Sequence, residues 1–472
     1  MITYELREDV TSPLYAQLYE YIRMDIVNGH LKAHDKLPSK RHLANHLQIS
    51  VITVTTAYEQ LMAEGYIYTK PRRGYYVMEQ IVKGDTPTIK EVVYERDTSA
   101  VIAPPSYRLD LTANDTPQQA FPFSVWSKLM RHRMSYGQQE LMATSPPAGV
   151  YALRRAVAGY LRVFRNMPVE ADQIIIGAGT EYLYTILIHL LQQDYVYCLE
   201  NPGYSKLSHI YKQHQRTCTY ARLDEEGVVM DDIIHAAPQV LHLSPSHHFP
   251  TGKVTSIGRR QELLQWAAAS SDRYIIEDDY DSEFRLTGRL IPTLASIDTS
   301  QSVIYMNTFS KSLASTIRIS YMVLPPSLMN IYHETMTYCS STVSNFEQYT
   351  LADLIEQGYF ERHINRMRTY YRKQRQQVIH TMKASSLYPY LSIQENSSGL
   401  HYVITLDTTM SDTEFITCCH EKGIHIKALS EYYQKNTHRD ICTHQFIINY
   451  SNIDIGALQW GLEEMYAIIA GK

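Results

Sequence analysis

The sequence predicts an α/β protein built from two independently folded parts. The first 78 residues have the pattern of three short helices followed by two β-type runs. From about residue 108 onward, short apolar runs alternate with helical stretches, which is typical of a mostly parallel sheet covered by helices. The chain of 472 residues is also too long for one ordinary core, so we expect two or three domains.

The predicted N-terminal domain covers residues 1–78. Apolar residues at helical spacing predict a first helix within 12–28, and shorter patterns predict helices at 39–47 and 51–64. A Pro- and Gly-containing turn splits residues 66–77 into two β-type runs. Three helices and a hairpin in this order are the plan of a winged helix-turn-helix.

The third predicted helix has the composition expected of a helix that enters the major groove of DNA. Its leading residues, Ser50, Thr53 and Thr55, are small and polar, so they can reach base edges and phosphates. In the hairpin, Gly74 permits a close approach and Arg73 can reach a groove or a phosphate. A helical protein-interaction module is the alternative for this domain.

Composition limits the remaining classes. The net charge of −5 argues against wholesale coating of nucleic acid, but residues 31–78 carry seven basic and three acidic side chains, a local excess that suits one DNA-binding face. The six cysteines form no C-x-x-C pair, so we expect reduced thiols and no metal site. No run of 18 apolar residues occurs and the start carries charges, so a cytoplasmic protein is expected.

Residues 79–107 change character and predict a linker, because they combine mixed charge with Thr-Pro and Pro-Pro pairs. The second domain is then expected at 108–472. It contains a long charged helix at 358–383, after which the sequence predicts a smaller α+β domain.

A lysine that follows a β-type run is the strongest chemical feature of the second domain. Lys311 is flanked by the small hydroxyl residues Thr308 and Ser310, a setting that suits Schiff-base chemistry on an aldehyde. Together with Arg318, these hydroxyls could bind a phosphate.

Other strings complete a possible cofactor site. Asp278 ends another β-type run and could keep a pyridine nitrogen protonated, and Tyr280 could bond the ring's 3′-oxygen. Gly179 and Thr180 open a helix after a β-type run, which makes a phosphate cup. Tyr204, in the string Asn-Pro-Gly-Tyr, offers an aromatic face for stacking.

In their order and spacing, these strings resemble class I aminotransferases of fold type I, which depend on pyridoxal 5′-phosphate (PLP). The resemblance covers about residues 108–472 and implies that Lys311 is the Schiff-base lysine and Asp278 the partner of the ring nitrogen. By the same resemblance, Tyr280 faces the 3′-oxygen and Tyr204 stacks on the ring. The implied phosphate ligands are Gly179, Thr180, Thr308, Ser310 and Arg318. His248 stands where related regulators commonly have Gln, so its role at the cofactor is open.

The segment LPSKRHLANHLQISVITVTTAYEQLMAEGYIYTKPRRGYYV resembles the winged helix of GntR-type regulators. The resemblance implies DNA contacts from Arg41, Ser50, Thr53, Thr55, Arg73 and Gly74. Val51 departs from the pattern, because the family usually has Arg directly after the Ser. One expected contact is therefore missing, which leaves target affinity and sequence preference open.

A GntR-type winged helix fused to an aminotransferase-like domain resembles the MocR subfamily, with its GabR-like and PdxR-like members. This resemblance implies a PLP-dependent, DNA-binding transcription regulator that forms a head-to-tail homodimer and responds to a small-molecule effector.

The sequence leaves the identity of the effector open, because the residues expected to bind an effector carboxylate are changed in this chain. GabR-like proteins hold a carboxylate with two arginines, whereas this chain has Lys206 at the first position and Glu431 near the second. We expect Lys206 to contact the effector. Either the ligand is a different amine or amino acid, sensed through a PLP aldimine, or PLP itself is sensed to control vitamin B6 synthesis. A catalytically active aminotransferase with an accessory N-terminal module is the competing class.

Overall fold

The computed structural model describes residues 4, 6–7, 12–79, 107–113, 116–286, 291–394, 399–434 and 442–471. The chain divides into two compact units, Met1–Ile102 and Ala103–Lys472. Nearly all of the linker predicted at 79–107 lies outside the described residues.

The N-terminal unit contains the predicted three helices and hairpin. Its elements are α1 (Leu14–Val27), α2 (Lys40–Leu47), α3 (Val51–Ala63), β1 (Ile67–Lys70) and β2 (Gly74–Val77). Strands β1 and β2 pair antiparallel, with Lys70 opposite Gly74. Ser39 and Ser50 cap α2 and α3 by accepting backbone N–H bonds from the first turn, which satisfies donors that a helix start leaves unpaired. A shared apolar core, including Leu18, Ile22 and Val54, holds the helices together.

The C-terminal unit is built around a seven-stranded sheet. Its strands are β4 (Ile174–Gly177), β5 (Val196–Asn201), β6 (Thr217–Arg222), β7 (Val240–Leu243), β8 (Tyr274–Asp278), β9 (Val303–Thr308) and β10 (Ser320–Val323). The order across the sheet is β4-β10-β9-β8-β7-β5-β6, and β10 runs opposite to the other six strands. The predicted mostly parallel sheet is confirmed. Apolar clusters cover both faces, so the strands are continuous apolar runs.

Helices surround this sheet. They are α4 (Phe123–Tyr136), α5 (Gln138–Met142), α6 (Tyr151–Arg165), α7 (Thr180–Leu190), α8 (Ser205–Gln213), α9 (Met230–Ala236), α10 (Ile257–Ala268), α11 (Leu294–Ile297), α12 (Phe309–Ser312), α13 (Pro326–Thr335), α14 (Asn345–Glu356) and α15 (Tyr359–Ala384). The last of these is the long charged helix predicted at 358–383.

The smaller α+β part follows α15, as the sequence predicts. A four-stranded antiparallel sheet has the order β11-β12-β15-β14. Its strands are β11 (Leu391–Gln394), β12 (His401–Leu406), β14 (Lys427–Ala428) and β15 (Gln445–Asn449). Helices α16 (Asp412–Glu421) and α17 (Ile455–Ile469) complete this part, and β13 (Ile424–His425) pairs with β3 (Leu109–Asp110). Among the described residues, no helix combines the length and the apolar character that crossing a membrane requires.

Candidate functional site

A cavity of about 340 Å³ opens at the carboxyl edge of the parallel strands, the edge where α/β sheets commonly bind ligands. Residues at or just after the ends of β4, β5, β7, β8 and β9 line it. The sheet therefore brings together most of the residues that the sequence singles out. Those that line the cavity are Gly179, Thr180, Tyr204, Lys206, Asp278, Tyr280, Thr308, Ser310, Lys311 and Arg318.

His248 is the exception among the predicted cofactor residues, since it does not line the cavity. It is buried, its Nδ1 lies 2.8 Å from Thr251 Oγ1, and its Nε2 lies 3.7 Å from Glu200 Oε2. Burial lowers the pKa of His248 to about 3 and raises the pKa of Glu200 to about 8. Both groups are therefore neutral near pH 7, and His248 packs behind the cavity wall.

Three consecutive carboxylates end β8 and have three different environments. Glu277 is buried and accepts the backbone N–H groups of Leu294 and Ala295, at 2.8 and 2.9 Å. Asp279 is buried against the guanidinium of Arg165 and accepts the Tyr305 hydroxyl at 2.7 Å. Asp278, between them, lines the cavity. Successive strand side chains point to opposite faces, so only the middle carboxylate reaches the cavity.

The two carboxylate oxygens of Asp278 have different surroundings. Its Oδ2 accepts the hydroxyl of Tyr184 at 2.7 Å and lies 3.7 Å from His242 Nε2. Burial, reinforced by the charge of Asp278, raises the pKa of Tyr184 well above its usual value, so this hydroxyl keeps its proton. Oδ1 is buried and accepts no hydrogen bond from the described residues. A buried carboxylate oxygen of this kind fits the protonated ring nitrogen of PLP.

Lys311 lies in α12, directly after β9, and is half-buried. Burial, reinforced by the charge of His247 and to a smaller extent by that of Lys311, lowers the pKa of His401 well below its ordinary value. The neighbouring hydroxyls already have partners: Thr308 Oγ1 accepts the Ser310 N–H at 3.1 Å, and Ser310 Oγ donates to the Ile317 carbonyl at 2.8 Å. These bonds fix the turn that presents Lys311 to the cavity.

The phosphate cup predicted at Gly179 lies at the start of α7. Gly179 caps this helix with φ +92°, a conformation that favours glycine, and the guanidinium of Arg318 lies where a Cβ would be. Arg318 Nη2 donates to Glu181 Oε2 at 2.6 Å, and Lys206 Nζ donates to the other oxygen of the same carboxylate. The bond from Lys206, the largest effect, lowers the pKa of Glu181, which is therefore ionised.

Two aromatic residues complete the cavity. The Tyr280 hydroxyl lies 3.2 Å from His247 Nδ1, and the same nitrogen lies 2.9 Å from Asp281 Oδ2. Burial raises the pKa of Tyr280 well above its usual value, so the hydroxyl is a proton donor at neutral pH. Tyr204 is 48% exposed at the cavity mouth and packs edge-on to Phe249.

Sequence reasoning missed several functional candidates. They are Tyr184 and His242, which flank Asp278; His247, beside Tyr280; and Glu181, between the two cations. No short motif contains them together, because they come from different elements.

In the N-terminal unit, the residues predicted to contact DNA lie on α2, α3 and the hairpin. Arg41 and Arg73 are exposed, and Thr53 and Thr55 are half-buried on α3. Ser50 Oγ accepts the Thr53 N–H at 3.1 Å, so this side chain also caps the helix. Gly74 has φ +111°, a conformation that glycine adopts most readily, at the start of β2.

Comparisons with known proteins agree with both units. Residues 14–77 match bacterial regulatory proteins of the gntR family, and residues 107–443 match aminotransferases of class I and II. The chain is 36% identical to the HTH-type transcriptional regulator YdeL of Bacillus subtilis, over 92% of each protein.

Two further relatives carry more specific names. The probable rhizopine catabolism regulatory protein MocR of Rhizobium meliloti is 30% identical, over 98% of this chain and 94% of its own length. The pyridoxine biosynthesis transcriptional regulator PdxR of Corynebacterium glutamicum is 29% identical, over 95% of this chain and 94% of its own. Among solved structures, kynurenine aminotransferase of Pyrococcus horikoshii, in complex with PMP, aligns with a TM-score of 0.66 at 20% identity, covering 77% of this chain and 91% of that one.

The fold and the site thus define a DNA-binding helix-turn-helix domain joined to an aminotransferase domain of the PLP-dependent type. The chain belongs to the family of HTH-type transcriptional regulators with this domain pair, the MocR-like regulators.

Proposed function

We propose that this regulator holds PLP on Lys311 and senses PLP itself, in the control of vitamin B6 synthesis. In this proposal it acts as a homodimer in the cytoplasm and binds an operator through its N-terminal unit. The relative PdxR, named for pyridoxine biosynthesis, supports the choice of signal.

The state of the predicted carboxylate clamp is the observation that carries this proposal. Lys206, at the first clamp position, is already paired with Glu181. Glu431, near the second, is exposed and accepts the Ala428 N–H at 2.9 Å, and it does not line the cavity. With Glu431 in place of a cation near the second position, an amino-acid carboxylate would meet only one of the two expected clamp cations, Lys206. PLP needs no such clamp, which favours PLP as the signal over an amino acid.

The chain's own residues fit the parts of PLP. The cofactor, when bound, supplies an aldehyde for an amine and a ring that withdraws electrons. In our proposal, Lys311 provides the amine, Asp278 Oδ1 accepts the proton of the ring nitrogen, and Tyr280 donates to the 3′-oxygen. Tyr184 holds Asp278 in position through its bond to Oδ2. Tyr204 covers one face of the ring at the cavity mouth.

Arg318 and the start of α7 would bind the phosphate. Thr180 lies at the positive end of the helix dipole, and Gly179, whose own N–H donates to the Gly177 carbonyl at 2.9 Å, would let the phosphate approach the start of the helix. Thr308 and Ser310 support this region through the bonds that fix their turn.

A titration of DNA binding tests the choice of signal. Genomic fragments retained by the full-length protein serve as probes, and affinity is measured without ligand, with PLP, and with PLP plus candidate amines. A response to PLP alone is expected. A response that requires an amine would replace this proposal with amine sensing.

Lys311→Ala is the matched variant for that titration. It should lose the long-wavelength absorption of lysine-bound PLP and the DNA response together, while unliganded DNA binding stays as in wild type. Persistence of the absorption band would show that Lys311 is not the attachment point.

An active aminotransferase is the second candidate, because Lys311, Asp278 and Tyr280 line one cavity. Mixing the protein with amino donors and a 2-oxo acid separates the two. Sustained multiple turnovers would establish an enzyme, whereas at most one turnover per site is expected of a sensor.

A further inference from the structure

Two of the cations that line the cavity, Lys206 and Arg318, share one carboxylate. Glu181 is the second residue of α7, and its two oxygens are divided between Lys206 Nζ and Arg318 Nη2. All three side chains line the cavity and are partly exposed, Glu181 to 39%. The pairing therefore lies on the path of a ligand that enters the site.

Arg318 is held at the place where a phosphate would bind. Its guanidinium lies directly over Gly179, the cap of α7, so it stands beside the backbone N–H groups that open the helix. The N–H that Arg318 directs at Glu181 belongs to the same fork of donors that a phosphate would use.

The charges of these three side chains do not balance that of a phosphate. Two cations and one carboxylate leave a net +1 at this end of the cavity. A phosphate monoester carries about −1.5 to −2 charges near pH 7, so its arrival leaves the cluster negative while Glu181 remains ionised. Without the carboxylate the same cluster would be close to neutral.

We propose that Glu181 is a built-in competitor of the cofactor phosphate, a carboxylate that occupies Arg318 and keeps PLP binding weak and reversible. This inference rests on the proposed function, since it concerns how the sensor loads its signal. A regulator that reports PLP concentration needs an occupancy that changes over the range it senses, and a permanently saturated site cannot report. Glu181 would set the range of PLP concentrations over which the regulator responds, because it weakens only the contacts to the phosphate.

The opposing hypothesis is that Glu181 merely orients Arg318 for the phosphate. The two hypotheses predict opposite changes in PLP affinity for Glu181→Gln. Loss of a competitor tightens PLP binding, whereas loss of an orienting partner weakens it.

The experiment measures the dissociation constants of PLP and of pyridoxal, which lacks the phosphate, for the full-length protein by absorbance titration. Glu181→Gln is expected to tighten PLP binding roughly threefold to tenfold, a modest effect because the ion pairs are partly exposed. Pyridoxal affinity should stay unchanged. In a separate PLP titration without pyridoxal, inorganic phosphate should inhibit PLP binding at a lower concentration in the variant than in wild type.

Glu356→Gln is the matched control. Glu356 pairs with Arg155 at 2.6 Å with similar exposure, but outside the cavity, so PLP affinity should not change. Glu181→Ala repeats the test without an amide that could still bond Arg318.

Unchanged or weaker PLP binding in both Glu181 variants would overturn the competitor role. An equal gain for PLP and pyridoxal would also overturn it, because the effect would then not involve the phosphate. Failure of wild type to bind PLP on Lys311 would instead overturn the proposed function, and this inference with it.

Discussion

At the residue scale, the three carboxylates that end β8 show how neighbouring side chains acquire different roles. Glu277 accepts two backbone N–H groups and Asp279 faces Arg165, whereas Asp278 lines the cavity with a buried oxygen that accepts no hydrogen bond from the described part of the chain. The alternation of a strand produces this division. Substitutions at positions 278 and 279 should therefore have different effects, one on the cofactor and the other on stability.

Asp278→Asn should weaken PLP binding with little loss of stability. The amide keeps the shape and can still accept the Tyr184 hydroxyl, but it cannot offer a charged acceptor to the ring nitrogen. A charge-assisted hydrogen bond contributes about 1.5–3 kcal/mol, so the dissociation constant should rise roughly tenfold to hundredfold. Absorbance titration measures it. An unaltered constant would remove Asp278 from the cofactor site.

Asp279→Asn should destabilise the C-terminal unit instead. Arg165 and Asp279 are both almost fully buried, so the variant leaves a buried guanidinium without its counter-charge, at a cost of roughly 3–5 kcal/mol. All three tryptophans, at 126, 266 and 460, lie in this unit, and their fluorescence reports its unfolding in urea. The double variant Arg165→Met/Asp279→Leu should recover much of the loss. A urea midpoint equal to wild type in the single variant would contradict the role of the pair.

The sequence could predict the residues of contiguous strings but not their partners. Lys311, Asp278, Tyr204 and Arg318 lie in motifs, and all of them line the cavity. Glu181 and Arg318 are 137 positions apart, and the sequence carries no sign that they pair. Their contact depends on the sheet order, which places β4 beside β10.

At the element scale, periodicity predicted the existence and type of most elements. The helices of the N-terminal unit are close to their predicted bounds, and the apolar runs predicted after residue 108 form the strands of the large sheet. The direction of β10 could not be predicted, because a short apolar run has the same pattern in a parallel and an antiparallel strand. Which strands lie beside β10 depends on packing rather than on the local sequence pattern.

The caps of α2 and α3 allow a matched test of the predicted DNA-binding helix. Ser39→Ala and Ser50→Ala each remove a side chain that accepts a first-turn N–H, so each should cost the N-terminal unit about 1 kcal/mol. Amide hydrogen exchange in α2 and α3 checks this stability change. DNA affinity, measured where both variants stay folded, should fall only for Ser50→Ala, because Ser50 caps the helix that is predicted to enter the major groove. Equal affinities would exclude Ser50 from the contact surface.

At the scale of the whole molecule, the acidic chain must bind DNA through a local basic surface. Arg73 is exposed in the turn between β1 and β2, so Arg73→Ala should weaken binding and reduce the slope of log affinity against log salt by about one. Arg23→Ala is the control, since Arg23 pairs with Glu20 on α1. A salt slope equal to wild type would show that the hairpin does not contact phosphate.

In our proposal, PLP binding in one unit is thermodynamically coupled to operator binding in the other. If PLP changes the affinity for the operator by some factor, the operator must change the affinity for PLP by the same factor, because both paths connect the same four states. We therefore expect PLP titrations with and without saturating operator DNA to differ by the factor found in the DNA titrations. A non-specific DNA of equal length should leave PLP affinity unchanged.

Glu181→Gln should shift the dissociation constant of PLP equally with and without operator DNA and preserve the ratio of the two constants, since the substitution acts on the phosphate and not on the coupling. Two unequal factors would mean that a further ligand or an assembly step takes part, whereas a factor of one in both directions would exclude PLP as the signal and leave it a structural cofactor.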